Sequence, residues 1–105
     1  MTITVNAPIN TAPVVDAGVA QTITLPTDFV NLDGAVTDDG LPDPPATVTT
    51  TWSMVSGPDT VTFGDANAVD TTATFTTAGV YVLRLTADDG TGEVYAEVII
   101  TVNPV

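Results

Sequence analysis

A chain of 105 residues has room for one domain with a modest hydrophobic core. It contains neither Cys nor His, which excludes disulfides, thiolate metal sites and histidine-based catalysis, so the fold must rest on packing alone or on a bound ion. Thirteen acidic residues against a single Lys or Arg give a net charge of −12, which repels phosphate backbones and anionic headgroups and predicts no nucleic-acid partner.

The two ends of the chain resemble each other. Ile-Thr-Val-Asn-Ala-Pro stands at 3–8, and Ile-Thr-Val-Asn-Pro stands at 100–104. A spacing of about one immunoglobulin-sized module predicts that residues 1–9 are the tail and linker of a preceding module. Residues 10–105 then form one complete module of a tandem array, and its first partners are the neighbouring modules of the same chain.

Apolar and polar residues alternate with period two along most of the chain, which is the pattern of half-buried β-strands. No segment has the 3.6-residue apolar period of a helix, and the abundance of Thr and Val favours strands. In chain order we predict strands at 14–16, 21–25, 29–36, 47–54, 60–63, 71–76, 80–87 and 93–102. These eight short segments, separated by Gly, Pro and Asp turns, predict an all-β, immunoglobulin-like antiparallel β-sandwich of about seven strands.

Two aromatic residues are assigned to the core of this sandwich. Trp52 lies at the centre of its predicted strand, where the buried Trp of an immunoglobulin-like domain packs between the sheets. Tyr81 follows Gly79 and opens the next-to-last strand, which is the place of a tyrosine corner. We interpret both side chains as structural rather than ligand-stacking.

A series of short motifs gives the chain a more specific resemblance. They are, in order, Asn10–Gly18, Leu32–Gly34, Asp38–Gly40, Trp52, Val55–Pro58, Gly79–Tyr81 and Leu85–Gly90. At these spacings the chain resembles the PKD (polycystic-kidney-disease) domain family over residues 10–103. It departs from the family at Trp52, which is followed by Ser-Met-Val-Ser-Gly-Pro where many members read Trp-Asp-Phe-Gly-Asp-Gly. Any ligand residue carried by that motif is therefore absent.

The resemblance implies an extracellular β-sandwich, at the cell surface or secreted, without enzymatic activity of its own. Such modules act as spacer, adhesion or auxiliary domains of surface proteins and secreted hydrolases. The composition agrees, because without His, Cys or Lys the remaining catalytic option is a carboxylate pair, and a sandwich of this size has little room for a substrate cleft. No stretch approaches the roughly 20 apolar residues of a membrane-spanning helix, so no membrane insertion is predicted.

Two Asp-Asp-Gly turns supply the candidate metal site. Asp38 and Asp39 lie in an early loop, Asp88 and Asp89 in the last hairpin, and in an immunoglobulin-like sandwich both loops emerge at one end. With the linker around Asn10 they would offer the oxygen ligands that Ca²⁺ prefers. Resemblance to calcium-binding PKD-like domains implies Asn10, Asp38 and Asp88 as ligands and leaves Asp39 and Asp89 as further candidates. The alternative is turn chemistry, because Asp caps its own turn and Gly accepts positive φ.

Three hypotheses for the function remain open at this point. The first is a structural spacer repeat of a tandem-module surface protein or adhesin, stiffened by calcium at the inter-module end. The second is a glycan- or protein-binding accessory module of a secreted hydrolase. The third is a module whose edge strand polymerises with another chain, which the charges of Glu93 and Glu97 on the last strand disfavour.

Overall fold

The structure, a computed structural model, describes residue 3 and residues 13–37, 48–90 and 92–105. Each predicted strand has a counterpart among the described residues, and the all-β class is confirmed. The strands are β1 (Val14–Asp16), β2 (Gln21–Thr24), β3 (Phe29–Asp33), β4 (Ala35–Thr37), β5 (Thr49–Ser56), β6 (Thr62–Phe63), β7 (Asp70–Thr74), β8 (Gly79–Asp88) and β9 (Glu93–Asn103). The described part of the chain has no helix that is long and apolar enough to cross a membrane.

The larger sheet has four strands in the order β2-β9-β8-β5. β8 and β9 form its centre as a long antiparallel hairpin that closes with Asp88 opposite Glu93. β2 runs parallel to the last four residues of β9, beginning with Gln21 opposite Ile100. β2 therefore covers only the end of β9, and Glu93 and Glu97 lie in the part of β9 whose ladder partner is β8 alone.

β5 is the outermost strand on the other side of this sheet, and the chain's own loop covers part of its edge. The backbone N–H of Trp52 donates to the carbonyl of Ala66 at 2.7 Å. Two residues earlier, the hydroxyl of Thr50 donates to the carbonyl of Asn67 at 2.9 Å. A backbone group that would pair with a foreign strand is occupied at Trp52, which argues against polymerisation through this part of β5.

The second layer combines a three-stranded sheet, β3-β7-β6, with the pair β1-β4. β3 and β4 are consecutive and are separated by Gly34 alone. The sequence predicted one uninterrupted strand over 29–36, which is wrong at this glycine. A Cβ atom at Gly34 would lie 2.8 Å from both Leu85 Cδ2 and the carbonyl oxygen of Val69, so the close packing of the two layers requires a glycine here.

Buried side chains from the two layers meet in one hydrophobic cluster. Trp52 is 2% exposed, and its indole N–H donates to the carbonyl of Val69 at 3.1 Å. This pairing satisfies the polar end of a buried indole, and the predicted core position of Trp52 is confirmed. The cluster also contains Ala17, Val30, Leu32, Ala73, Phe75, Tyr81, Leu83, Leu85, Val98, Ile100 and Val102.

The run formed by β3 and β4 points in the same direction as β8. Its start lies beside Phe75, whose backbone N–H donates to the carbonyl of Asp28 and whose ring packs on Tyr81 near the start of β8. Further along both strands, Gly34 lies against Leu85. Consequently the last residue of β4, Thr37, lies toward the same end of the sandwich as Asp88.

The sandwich has two ends, here called the entry end and the exit end. The entry end carries Val14, which is opposite Thr37, and Asp88, which is opposite Thr49. The exit end carries the last residue of β9, Asn103, whose carbonyl accepts from the backbone N–H of Leu25 at 3.0 Å. The chain enters the described sandwich at one end and leaves it at the other.

Candidate functional site

Asp88 ends β8 at the entry end and caps the turn of its own hairpin. Its Oδ1 accepts a hydrogen bond from the backbone N–H of Gly90 at 2.7 Å. Gly90 has φ of 97°, a conformation that glycine adopts without a steric penalty. This is the Asx-turn arrangement that the alternative interpretation of the Asp-Asp-Gly motif predicted.

Asp89 is buried beside it, with 1% of its surface exposed. Its Oδ1 accepts from the backbone N–H of Gly92 at 3.2 Å, and its own backbone N–H donates to the carbonyl of Gly92 at 3.3 Å. Both acidic residues of this motif therefore hold the connection between β8 and β9. Sequence reasoning ranked Asp89 as a secondary metal ligand and missed this buried structural role.

The other predicted metal ligands, Asn10, Asp38 and Asp39, lie outside the described residues. Within the described residues, no three Asp, Glu, His or Cys side chains lie close enough to hold a metal ion together. The direction of β4 does bring Thr37, the residue before Asp38, toward the end that carries Asp88. Convergence of the two loops and the calcium site itself stay predictions.

The exit end has a polar network that the sequence did not reveal. Asp59 accepts from the backbone N–H of Thr60 at 2.7 Å and from the hydroxyls of Thr77 at 2.9 Å and Thr76 at 3.2 Å. These bonds, the one from the Thr60 backbone most of all, hold the pKa of Asp59 below its ordinary value. One carboxylate thus joins the segment after β5 to the segment before β8.

Tyr81 completes the exit end and is the predicted tyrosine corner. Its hydroxyl donates to the carbonyl of Thr77 at 2.6 Å, four residues back along the chain. Burial raises the pKa of the Tyr81 phenol, and the negative charge of Asp59 raises it further. A neutral phenol that donates to a carbonyl is consistent with both effects.

An ion pair and a cation–π contact lie on the solvent side of the four-stranded sheet. Arg84, the only Lys or Arg of the chain, forms an ion pair with Glu97 at 2.9 Å. Its guanidinium also lies over the ring of Tyr95, 3.9 Å from the centroid. Arg84 and Glu97 are direct partners in the β8–β9 ladder, so counting back equally from the hairpin turn would have found this pair.

The family is decided by comparison with known domains. The family model of the K319L-like PKD domain matches residues 17–102. This chain belongs to the PKD domain family. Domains of this kind are in general non-catalytic modules of larger proteins, and the resemblance drawn from the motifs is confirmed.

Individual relatives agree with this assignment. The mouse dyslexia-associated protein KIAA0319-like is 35% identical over 89 residues, which are 85% of this chain but 8% of that protein. The solution structure of the PKD domain from the KIAA 1837 protein is 28% identical with a TM-score of 0.70, covering 94% of this chain and 93% of the other. That of a PKD domain from human KIAA0319 has 22% identity and a TM-score of 0.71, with 99% and 93% covered.

The Asp-Ala-Gly motif of this PKD domain has a clear structural cause. The backbone N–H of Gly18 donates to Oδ1 of Asp16 at 2.8 Å, which closes a turn after β1. Gly18 has φ of 88°, and a Cβ atom there would lie 2.7 Å from the carbonyl oxygen of Asp33. The motif thus turns the chain from one layer toward the other, where β2 joins β9.

Proposed function

We propose that this PKD domain is a non-catalytic, extracellular spacer module of a tandem-module surface protein or adhesin. The observation that carries the proposal is the position of its two connections. The chain comes in beside Thr37 at the entry end and goes out beside Leu25 at the exit end. Modules with connections at opposite ends extend an array when they are joined in series, whereas connections at one end would fold it back.

The length of the central hairpin sets the expected spacing. β9 has 11 residues and runs from the entry end to the exit end. At about 3.3 Å per residue, each module adds roughly 35 Å to the array. The net charge of −12 favours this extended arrangement as well, since similarly acidic neighbours repel one another.

The same residues give little support to catalysis. The chain has no His, Cys or Lys, and Asp88 is engaged in a bond to its own hairpin. Asp59 accepts three hydrogen bonds that keep its carboxylate ionised, which is the opposite of what a general acid needs. These features favour a non-catalytic role.

Small-angle scattering on proteins with one, two and three copies in series tests the proposal. The maximum dimension should grow by roughly 35 Å with each added copy, because the connections lie at opposite ends. Growth of less than half that length would mean that neighbouring modules pack side by side, and the spacer function would be lost.

We propose in addition that the entry end binds calcium. A divalent ion bound by Asn10, Asp38 and Asp88 would tie the incoming linker to the body of the domain and relieve the repulsion between nearby carboxylates. Asp88 supports this role because, among the described residues, its hydrogen bond from Gly90 uses Oδ1, and a carboxylate has a second oxygen that can bind a cation. Stiffening of the array would follow from fixing the linker.

A further inference from the structure

The solvent side of the β8–β9 hairpin, here called the outer face, carries large exposed apolar side chains. Alternate residues of the hairpin point to the core, so the intervening residues point outward. Among them, Val80 is 56% exposed, Tyr95 57% and Ile99 51%. Val82 is directly opposite Ile99 in the ladder, which makes an apolar row across the two strands.

The outer face carries an acidic pair at the entry end and an ion pair further along the strands. At the entry end, Asp88 and Glu93 are directly opposite each other, an arrangement of like charges that destabilises an antiparallel pair. The chain's one basic side chain, Arg84, is already paired with Glu97. The chain has no second Lys or Arg for the Asp88–Glu93 row, so a cationic partner of this row would come from outside the chain.

We propose that the outer face binds a second protein sideways, and that this partner is basic. Lys or Arg side chains of the partner would lie over the row of Asp88 and Glu93, and apolar side chains would lie over the row of Val82 and Ile99. The like-charged row and the exposed apolar row give the two complementary contacts. Another copy of this chain is unsuited, because it also carries −12 and has one basic side chain, already paired.

A glycan fits the outer face less well than a basic protein. Sugar rings stack on exposed aromatic faces, and one face of Tyr95 is occupied by the guanidinium of Arg84 at 3.9 Å. The apolar row of Val82 and Ile99 offers a sugar no hydrogen-bonding groups. The partner's basic side chains and a calcium ion would compete for Asp88, so lateral binding is tested in the absence of calcium.

The spacing of the two rows defines a probe. Asp88 is six residues from Val82 along β8, a distance of roughly 20 Å in an extended strand. A peptide with the sequence Lys-Lys-Ser-Thr-Ser-Thr-Val-Leu places two ammonium groups and two apolar side chains at about that separation. Two matched peptides replace its Lys pair with Glu or its Val-Leu pair with Ser-Ser.

The experiment is an NMR titration of the whole chain with each peptide, in calcium-free buffer at fixed ionic strength. The full peptide should shift the amides of outward residues on β8 and β9, and both altered peptides should bind more weakly. Asp88→Asn with Glu93→Gln should weaken binding of the full peptide by about fivefold, since two exposed charge pairs are lost. Asn keeps the oxygen that accepts from Gly90.

The other sheet provides a control of equal charge. Asp33 and Asp70 are also directly opposite each other, on β3 and β7. Asp33→Asn with Asp70→Asn therefore removes the same two charges from the opposite side of the sandwich and should leave the affinity unchanged within about twofold. Val82→Thr with Ile99→Thr should weaken binding through lost apolar contact while the charge stays the same.

Several results would overturn the proposal. An equal loss in both charge variants would mean that the peptide responds to net charge alone, and unchanged affinity in the threonine variant would remove the apolar contact. Concentration-dependent broadening without peptide would identify a second copy of the chain as the occupant. Shifts at Tyr95 with cellohexaose but with none of the peptides would identify a glycan surface instead.

Discussion

At the exit end of this PKD domain, side chains join segments that are distant in sequence, whereas the hydrogen bonds described for Asp88 and Asp89 at the entry end lie within their own hairpin. Asp59 at the exit end reaches Thr77, which is 18 residues away. The exit end is thus held by tertiary contacts that are complete within the module. The difference teaches that Asp59 connects distant segments of the exit end, whereas the described bonds of Asp88 and Asp89 fix the shape of one hairpin.

The largest expected effect comes from truncating the aromatic side chain that is buried between the two layers. Trp52→Ala should lower the free energy of unfolding by about 3–5 kcal/mol, because a buried aromatic leaves a cavity. Thr51, its exposed neighbour on the same strand, provides the control, and Thr51→Ala should change stability by no more than about 0.5 kcal/mol. Urea unfolding measures both. A loss below about 1 kcal/mol for the Trp variant would contradict its position between the layers.

Alanine substitutions at two glycines, one at each end, compare how tightly the two ends are packed. A Cβ atom at Gly57 would overlap the ring of the buried Tyr81, whereas one at Gly92 would meet nothing within 4 Å. Gly57→Ala should therefore cost about 1–3 kcal/mol of stability through overpacking at the exit end. Gly92→Ala at the entry end should stay within about 0.5 kcal/mol of the parent chain.

Thermal or urea unfolding of the two glycine variants decides this comparison. Equal stability of both variants would mean that the contact between the segment after β5 and Tyr81 is loose. In that case the exit end would be no more closed than the entry end.

Calcium should act at the entry end alone. Extracellular calcium modules have dissociation constants on the order of 10⁻⁴–10⁻³ M, so about 10 mM Ca²⁺ should add roughly 1.4–2.7 kcal/mol to stability. Thermal unfolding at matched ionic strength, with Ca²⁺, Mg²⁺ or chelator, measures the shift. Asp38→Asn combined with Asp88→Asn should abolish the difference between the two ions. An equal response of that variant would reduce the effect to charge screening.

The smallest expected effect is a pH dependence at the exit end. Because the folded pKa of Asp59 lies below its ordinary value of 3.8, its bonds contribute stability above that pH and lose it as the pH falls further. Asp59→Asn should therefore be less stable than the parent chain at pH 7, and the gap should narrow near pH 2. Parallel urea titrations at the two pH values test this, and a gap that widens in acid would refute it.

Tyr81 should make the stability of the domain fall at high pH. Its folded pKa lies above the ordinary value of 10.0, so its contribution to stability is complete below pH 10 and falls as the pH rises beyond it. Tyr81→Phe removes that dependence together with the bond to Thr77, and should cost about 1 kcal/mol at neutral pH.

Period-two alternation predicted the strands and the core position of Trp52. Burial of one face of a sheet produces an alternation of apolar and polar residues that is visible within a single strand. The interruption at Gly34 escaped prediction, since its cause is the approach of Leu85 from the other layer. The network of Asp59 was missed for a related reason: it depends on where two separate loops meet. Asp88 and Asp89 were correctly assigned to the last hairpin, but their hydrogen bonds follow from the turn geometry rather than from charge.

The parallel pairing of β2 with the end of β9 has a consequence for an array under tension. β2 follows β1 directly along the chain, so it is reached from the incoming connection, and β9 ends where the chain leaves the sandwich. A pulling force on the two connections would slide these strands past each other along their length. Gln21 to Thr24 would then share the load through all of their ladder bonds at once, so the module would resist in shear rather than unzip one bond at a time.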